Sequence, residues 1–98
     1  MKAMRPTYVY GDSHPALLPQ AQDRQIGELL MVLQRLSETA DFGLVDREAS
    51  RLELGVSSLE FEALVRRTRQ RGYIDTQLAY GRLSLTLRGR EKLSALYR

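Results

Sequence analysis

In QDRQIGELLMVLQRLSET the apolar residues Ile26, Leu29, Leu30, Leu33 and Leu36 recur at i, i+3, i+4 and i+7, with Arg24, Gln25, Glu28 and Gln34 between them. That spacing predicts an amphipathic helix, its start served by Asp23 or a neighbour. Met31 and Val32 widen the stripe beyond one face, which predicts a helix touched on two sides or one that meets a second copy. FGLV, just downstream, has the residues of a short strand. LVDREASRLELG then reads as a short helix with Asp46 as N-cap, Ala49 and Leu52 as its buried face, and Gly55 as its stop. In VSSLEFEALVRRTRQRGYI, Ser57 and Glu60 have the spacing of a capping box. Phe61, Leu64, Val65 and Thr68 form the core face of this helix, and Gly72 ends it.

Beyond Gly72 the period changes to two. Ile74, Thr76 and Leu78 share one face, followed by Leu83, Leu85 and Leu87, and Tyr80-Gly81 lies where a tight hairpin needs a positive φ. Thr86 then caps a last helix whose apolar face includes Leu93, Leu96 and Tyr97. The predicted order is helix, short strand, helix, glycine turn, helix, hairpin, helix. The fold class is α+β, mainly helical, with a helix-turn-helix and a small antiparallel hairpin. Residues 1–21 carry Pro6, Pro15, Pro19 and Gly11 and read as a partly flexible arm, in which TYVY (7–10) has strand-like residues. Residues 22–98 read as one domain, since 98 residues leave no room for a second core.

A hairpin directly after a helix-turn-helix resembles the wing of the winged-helix superfamily, particularly its small bacterial and phage members and the DNA-binding part of MarR-type regulators. The resemblance covers residues 24–98 and rests on three pieces. ASRLELGVSSLEFEALV is similar to the family's short helix, turn and recognition helix. RRTRQRGYI is similar to the end of that helix running through glycine into the first wing strand. LSLTLRGREKL is similar to the second wing strand passing into a closing helix. The chain departs from the family at Thr68, four before Gly72, where such domains usually carry a core leucine. The departure implies a slightly thinned core or a rotated helix end.

The resemblance implies a cytoplasmic transcriptional regulator that binds double-stranded DNA as a homodimer, with residues 57–71 in the major groove and a wing around Arg82 on backbone or minor groove. Rotating each residue by about 100° puts Leu59, Ala63, Arg66 and Gln70 opposite the core face, with Arg67, Arg69 and Arg71 on the flanks. Arg66 suits guanine, Gln70 suits adenine or a phosphate, and Leu59 and Ala63 suit a thymine methyl. The flanking Arg67, Arg69 and Arg71 suit phosphates, Arg82 suits the adjacent groove or the backbone, and Ser58 and an exposed Tyr80 complete the candidate DNA-binding set. Glu62 stands out among these residues. Glu60 is occupied by the capping box, whereas Glu62 has no function near a phosphate wall unless it accepts from cytosine N4. The rival reading is a winged-helix interaction module, with Leu59 and Ala63 docked on a protein and the arginines meeting an acidic partner.

Charge distribution favours the polyanion. From Arg66 onward nine basic residues face two acids, whereas residues 1–65 hold ten acids and six basic residues. The helix macrodipole alone also favours early acids and late arginines, so the pattern on the helix is not specific. Other chemistry is thin. There is no cysteine, so neither a disulfide nor a thiolate metal site is expected. GDSHP (11–15) reads as a turn, because adjacent residues cannot adopt triad geometry. His14 is the only histidine, and no phosphate-cradling glycine motif occurs. The expectation is a protein that is not an enzyme, with no cofactor and no metal. MKAMRPTYVY lacks the apolar core of a signal peptide, and no apolar run approaches membrane-span length, which supports the cytoplasmic reading.

Overall fold

The computed structural model of the protein describes residues 19–77 and 81–97, with side chains for 21–76 and 81–97. The TYVY arm, GDSHP, Leu78 and Tyr80 lie outside the described residues.

Helix α1 spans Pro19–Ser37. Ile26, Leu29, Leu30 and Leu33 are completely buried, as their spacing requires, and Leu36 packs against them half-buried. The helix extends further upstream than its apolar period. Asp23 therefore sits inside it and does not cap it.

The strand expected over FGLV is reduced to β1, Val45–Asp46. Asp41–Gly43 forms a 3-10 turn in which Phe42 (φ 57°) and Gly43 (φ 70°) are both left-handed. Two such residues in succession cannot continue an extended chain. Phe42 is left 96% exposed.

Helix α2, Arg47–Leu54, starts and stops as predicted. The Ala49 amide donates to Asp46 Oδ2 at 2.9 Å, and Gly55 (φ 72°) closes the helix with its amide on Arg51 O. Its inward face differs from the expectation. Ala49 is exposed and Leu52 is 64% exposed, while Ser50 is fully buried and Leu54 packs on the core. Ser50 tolerates burial because its hydroxyl donates to Asp46 O at 3.0 Å. A small side chain there also lets the helix approach its neighbours closely.

Helix α3, Ser58–Gln70, buries Phe61, Leu64, Val65 and Thr68. The predicted face is correct, and the helix end is not rotated. Thr68 fills its place fully buried, its hydroxyl donating to Leu64 O at 2.7 Å.

Strands β2 (Ile74–Gln77) and β3 (Arg82–Leu85) form the hairpin, with Gly81 at φ 60° before the second strand. The antiparallel sheet has the order β1-β3-β2, with Ile74 opposite Leu85, Thr76 opposite Leu83, and Leu83 also opposite Val45. Ile74, Leu83 and Val45 are buried beneath it. Leu87 does not continue the strand face as expected. Thr86 ends the extended run, and Leu87 opens α4 (Leu87–Leu96) with 75% exposure.

The α4 face is also smaller than predicted. Leu93 is buried, but Leu96 and Tyr97 remain 37% and 51% exposed. Both lie over Gly27 of α1, where an added Cβ would come within 3.0 Å of Tyr97 Oη and 3.1 Å of Leu96 Cδ1. A glycine inside a helix costs about 1 kcal/mol of helix propensity, and this approach explains its presence.

Among the described residues the architecture is therefore mainly helical α+β, with four helices and a small three-stranded antiparallel sheet, compatible with a winged helix. Among the described residues, no helix is long and apolar enough to cross a membrane.

One junction joins the hairpin to the last helix. Thr86 Oγ1 donates to Gly72 O at 2.6 Å and accepts from the Gly89 amide at 3.0 Å, while the Thr86 amide donates to Tyr73 O at 3.1 Å. Gly89 is buried, and a Cβ built there would lie 2.1 Å from the Tyr73 carbonyl oxygen. Backbone occupies that space, so no rotamer change relieves the clash. Gly89→Ala is expected to lower stability by about 2–4 kcal/mol, as overpacking against an unyielding neighbour does. Urea denaturation of the two proteins measures the difference.

Candidate nucleic-acid interface

The start of α3 is held by the capping box. The Glu60 amide donates to Ser57 Oγ at 3.1 Å, and the Ser57 amide donates to Glu60 Oε1 at 3.0 Å. Its approach is held as well. Arg51 donates to Val56 O at 2.9 Å and pairs with Glu48 at 2.5 Å. The hydrogen bonds from Arg51 keep the Glu48 carboxyl below its ordinary range.

On the solvent side, Leu59 is 83% exposed. Ser58, Arg66, Arg69 and Gln70 are exposed and Ala63 is half-buried, so the outward stripe lies where helical rotation puts it.

The four arginines of VRRTRQRG divide into two pairs. Arg67 turns back to α1 and donates to Gln25 Oε1 at 3.3 Å. Arg71 does the same, donating to Gln22 Oε1 at 3.4 Å and facing Asp23 at 3.5 Å, with Lys92 also 3.9 Å from Asp23. Arg66 and Arg69 turn instead toward the hairpin. Together with Arg82 they line an open cleft of about 390 Å³ between α3 and the β2–β3 hairpin, which Arg47, Glu62 and Thr76 also border. Arg66, Arg69 and Arg82 form no ion pair with any described residue. Asp46, opposite Arg82 in the sheet, has its carboxylate engaged in capping α2.

Glu62 acquires the function that was missing from the sequence. Its Oε2 lies 2.5 Å from Arg47 Nη2. Arg47 is the residue that sequence reasoning passed over. Fifteen positions separate the two, and no helical or strand period links them. The available signal was indirect: an acid on a polyanion-facing helix calls for a nearby cation. The Arg47 guanidinium carbon also sits 5.8 Å from the centre of the Phe61 ring. The Arg47 amide donates to Gly81 O at 3.1 Å, tying the start of α2 to the hairpin.

In this arrangement neither acid of α3 is free: Glu60 caps the helix and Glu62 is paired. The surface left between α3 and the hairpin is cationic, while Leu59 stands exposed in the first turn of α3. Comparison of the chain with protein-family models, with curated proteins and with solved structures finds no match in any of the three.

Ser57→Ala removes the hydroxyl that accepts the Glu60 amide and releases the reciprocal bond. A loss of about 1 kcal/mol is expected, with Ser57→Thr close to the parent protein. Urea melts followed by helical circular dichroism measure both.

Proposed function

We propose that the protein is a winged-helix DNA-binding protein, a transcriptional regulator that contacts duplex DNA with α3 and the β2–β3 hairpin. The observation that carries this reading is the set Arg66, Arg69 and Arg82, without an ion pair among the described residues and gathered from two elements around one cleft. Free guanidinium groups projecting from a helix and a neighbouring hairpin suit phosphates along a groove wall. Arg66 and Gln70 are the residues on the outward stripe with base-edge chemistry, while Ser58, Leu59 and Ala63 offer a hydroxyl and methyl-sized contacts. Arg67 belongs to the scaffold in this scheme, since its guanidinium is turned to Gln25. With its cations in the second half of α3, the protein binds with strong salt dependence and limited base selectivity.

A specific feature favours the rival reading of a protein-interaction module: Leu59 and Leu52 stand 83% and 64% exposed on successive helices. Retention on duplex DNA through a salt series separates the two. Three arginine–phosphate contacts give a log–log salt slope of about −3 per protomer. Arg66→Glu with Arg69→Glu is expected to abolish retention, whereas Arg67→Gln with Arg71→Gln keeps the slope. Equal retention by the glutamate variant and the parent protein would falsify the proposed face.

The protein acts as a homodimer in this reading. Met31 is 48% exposed on α1, and with Gln34, Ser37, Arg90 and Tyr97 it lines a groove of about 670 Å³ between α1 and α4. A second copy seated there, with Val32 alongside, covers the apolar surface that the protomer leaves open. Two α3 helices about 34 Å apart then meet successive major grooves. Met31→Glu is expected to turn the dimer into a monomer in sedimentation equilibrium and to leave the circular dichroism spectrum unchanged. A dimer that persists in this variant places the interface elsewhere.

A further inference from the structure

Glu62 and Arg66 are four apart on α3, acid before base, which is the favourable orientation for an ion pair along a helix. They do not pair. Glu62 binds Arg47 instead, and Arg66 is left without a partner among the described residues. Arg47 is well placed to win this competition. Its side chain is 23% exposed against 56% for Glu62. Its guanidinium lies over the Phe61 ring, and its backbone is bonded to Gly81 of the hairpin. The cation is thus held by its surroundings, and the carboxylate comes to it.

We infer that Arg47 is a positioning residue for polyanion binding: it sequesters Glu62 and thereby keeps Arg66 free in the cleft. This inference rests on the duplex-binding reading above. Without Arg47, Glu62 turns along its own helix to Arg66. That removes one cation from the cleft and brings an acid toward the phosphates, and like charges brought together at an interface weaken binding strongly. Arg47 itself need not touch the nucleic acid.

A double-mutant cycle on duplex affinity at fixed salt tests this. Arg47→Gln is expected to weaken binding about tenfold, the effect of one lost cation and one freed acid at an interface. Glu62→Gln alone leaves affinity unchanged or slightly tighter. The double variant, Arg47→Gln with Glu62→Gln, recovers most of the loss, because no carboxylate remains to occupy Arg66. The Arg66 Nε–Hε resonance moves in Arg47→Gln and returns in the double variant, a readout that a general loosening of the fold does not produce. Circular dichroism establishes that each variant is folded at the assay temperature. Arg47→Lys replaces the glutamine variant if that protein unfolds, with a smaller loss and the same rescue. A double variant as weak as Arg47→Gln overturns the inference while the parent protein's binding still supports the duplex reading. A parent protein held by neither duplex DNA nor heparin overturns both.

Discussion

The rest of the structure depends on α1, and on two different faces of it. Its buried stripe of Ile26, Leu29, Leu30 and Leu33 is the apolar surface against which the other elements close. Burial of such side chains is worth about 1.5–3 kcal/mol each, so the stripe dominates over any surface contact in the molecule. The polar flank near its start has a subtler effect. Gln22, Asp23 and Gln25 receive Arg71 and Arg67 from the far end of α3. Individually these partly exposed contacts are worth little. Together with the buried face Phe61, Leu64, Val65 and Thr68, they fit a single rotation of α3 about its axis. That rotation decides which arginines are taken up by the scaffold and which remain available.

The charges on α3 are therefore sorted by geometry more than by number. Counting residues gives a helix with two acids and three arginines before its C-cap, an unremarkable surface helix. Contacts change this. One acid closes the capping box, the other is taken by Arg47, and one arginine is turned to α1. What remains is Arg66 and Arg69, joined by Arg82 from the hairpin. This set, without an ion pair among the described residues, is cationic although the chain as a whole carries a formal net charge of only +3. For long-range attraction and for contact with a polyanion, this local remainder matters more than the total.

Much of the fold was legible because its signals are local. The α1 period, the Asp46 and Thr86 caps, the Ser57–Glu60 box, the core face of α3 and the glycines at 55, 72 and 81 all express backbone requirements within a turn or two. The misses share the opposite property. Ser50 in place of Ala49 and Leu52 on the inner face of α2 depends on how closely that helix approaches its neighbours, which a hydrophobicity count does not see. Leu96 and Tyr97 look like core from their apolarity, yet they cover Gly27 at the rim. Gly27 itself was a clue, since a glycine inside an amphipathic helix signals a close neighbour. FGLV failed as a strand because Phe42 and Gly43 turn left-handed, which β propensity does not anticipate. At the candidate interface, the outward stripe followed from helical rotation. The division of Arg67 and Arg71 from Arg66 and Arg69 did not, because it depends on partners 42 and 49 positions away in the chain.

The hairpin's place beside α3 has the same non-local character. Besides the β1–β3 pairing and the buried Ile74 and Leu83, two ties help set it: the Arg47 amide on Gly81 O at the tip side, and Thr86 on Gly72 O and Tyr73 O at the base. The first tie also carries the guanidinium that engages Glu62, so α2, α3 and the hairpin meet through one residue. The second lies where Gly89 lets α4 come against the Tyr73 carbonyl. A two-stranded hairpin is marginal by itself, and here it is fixed at both ends by contacts outside its own ladder. Arg82 rides on that hairpin and Arg66 and Arg69 ride on α3, so the separation of the three cations is a property of these ties. These contacts outside the β2–β3 ladder therefore place Arg82 relative to Arg66 and Arg69, although no contact joins the three arginines directly among the described residues.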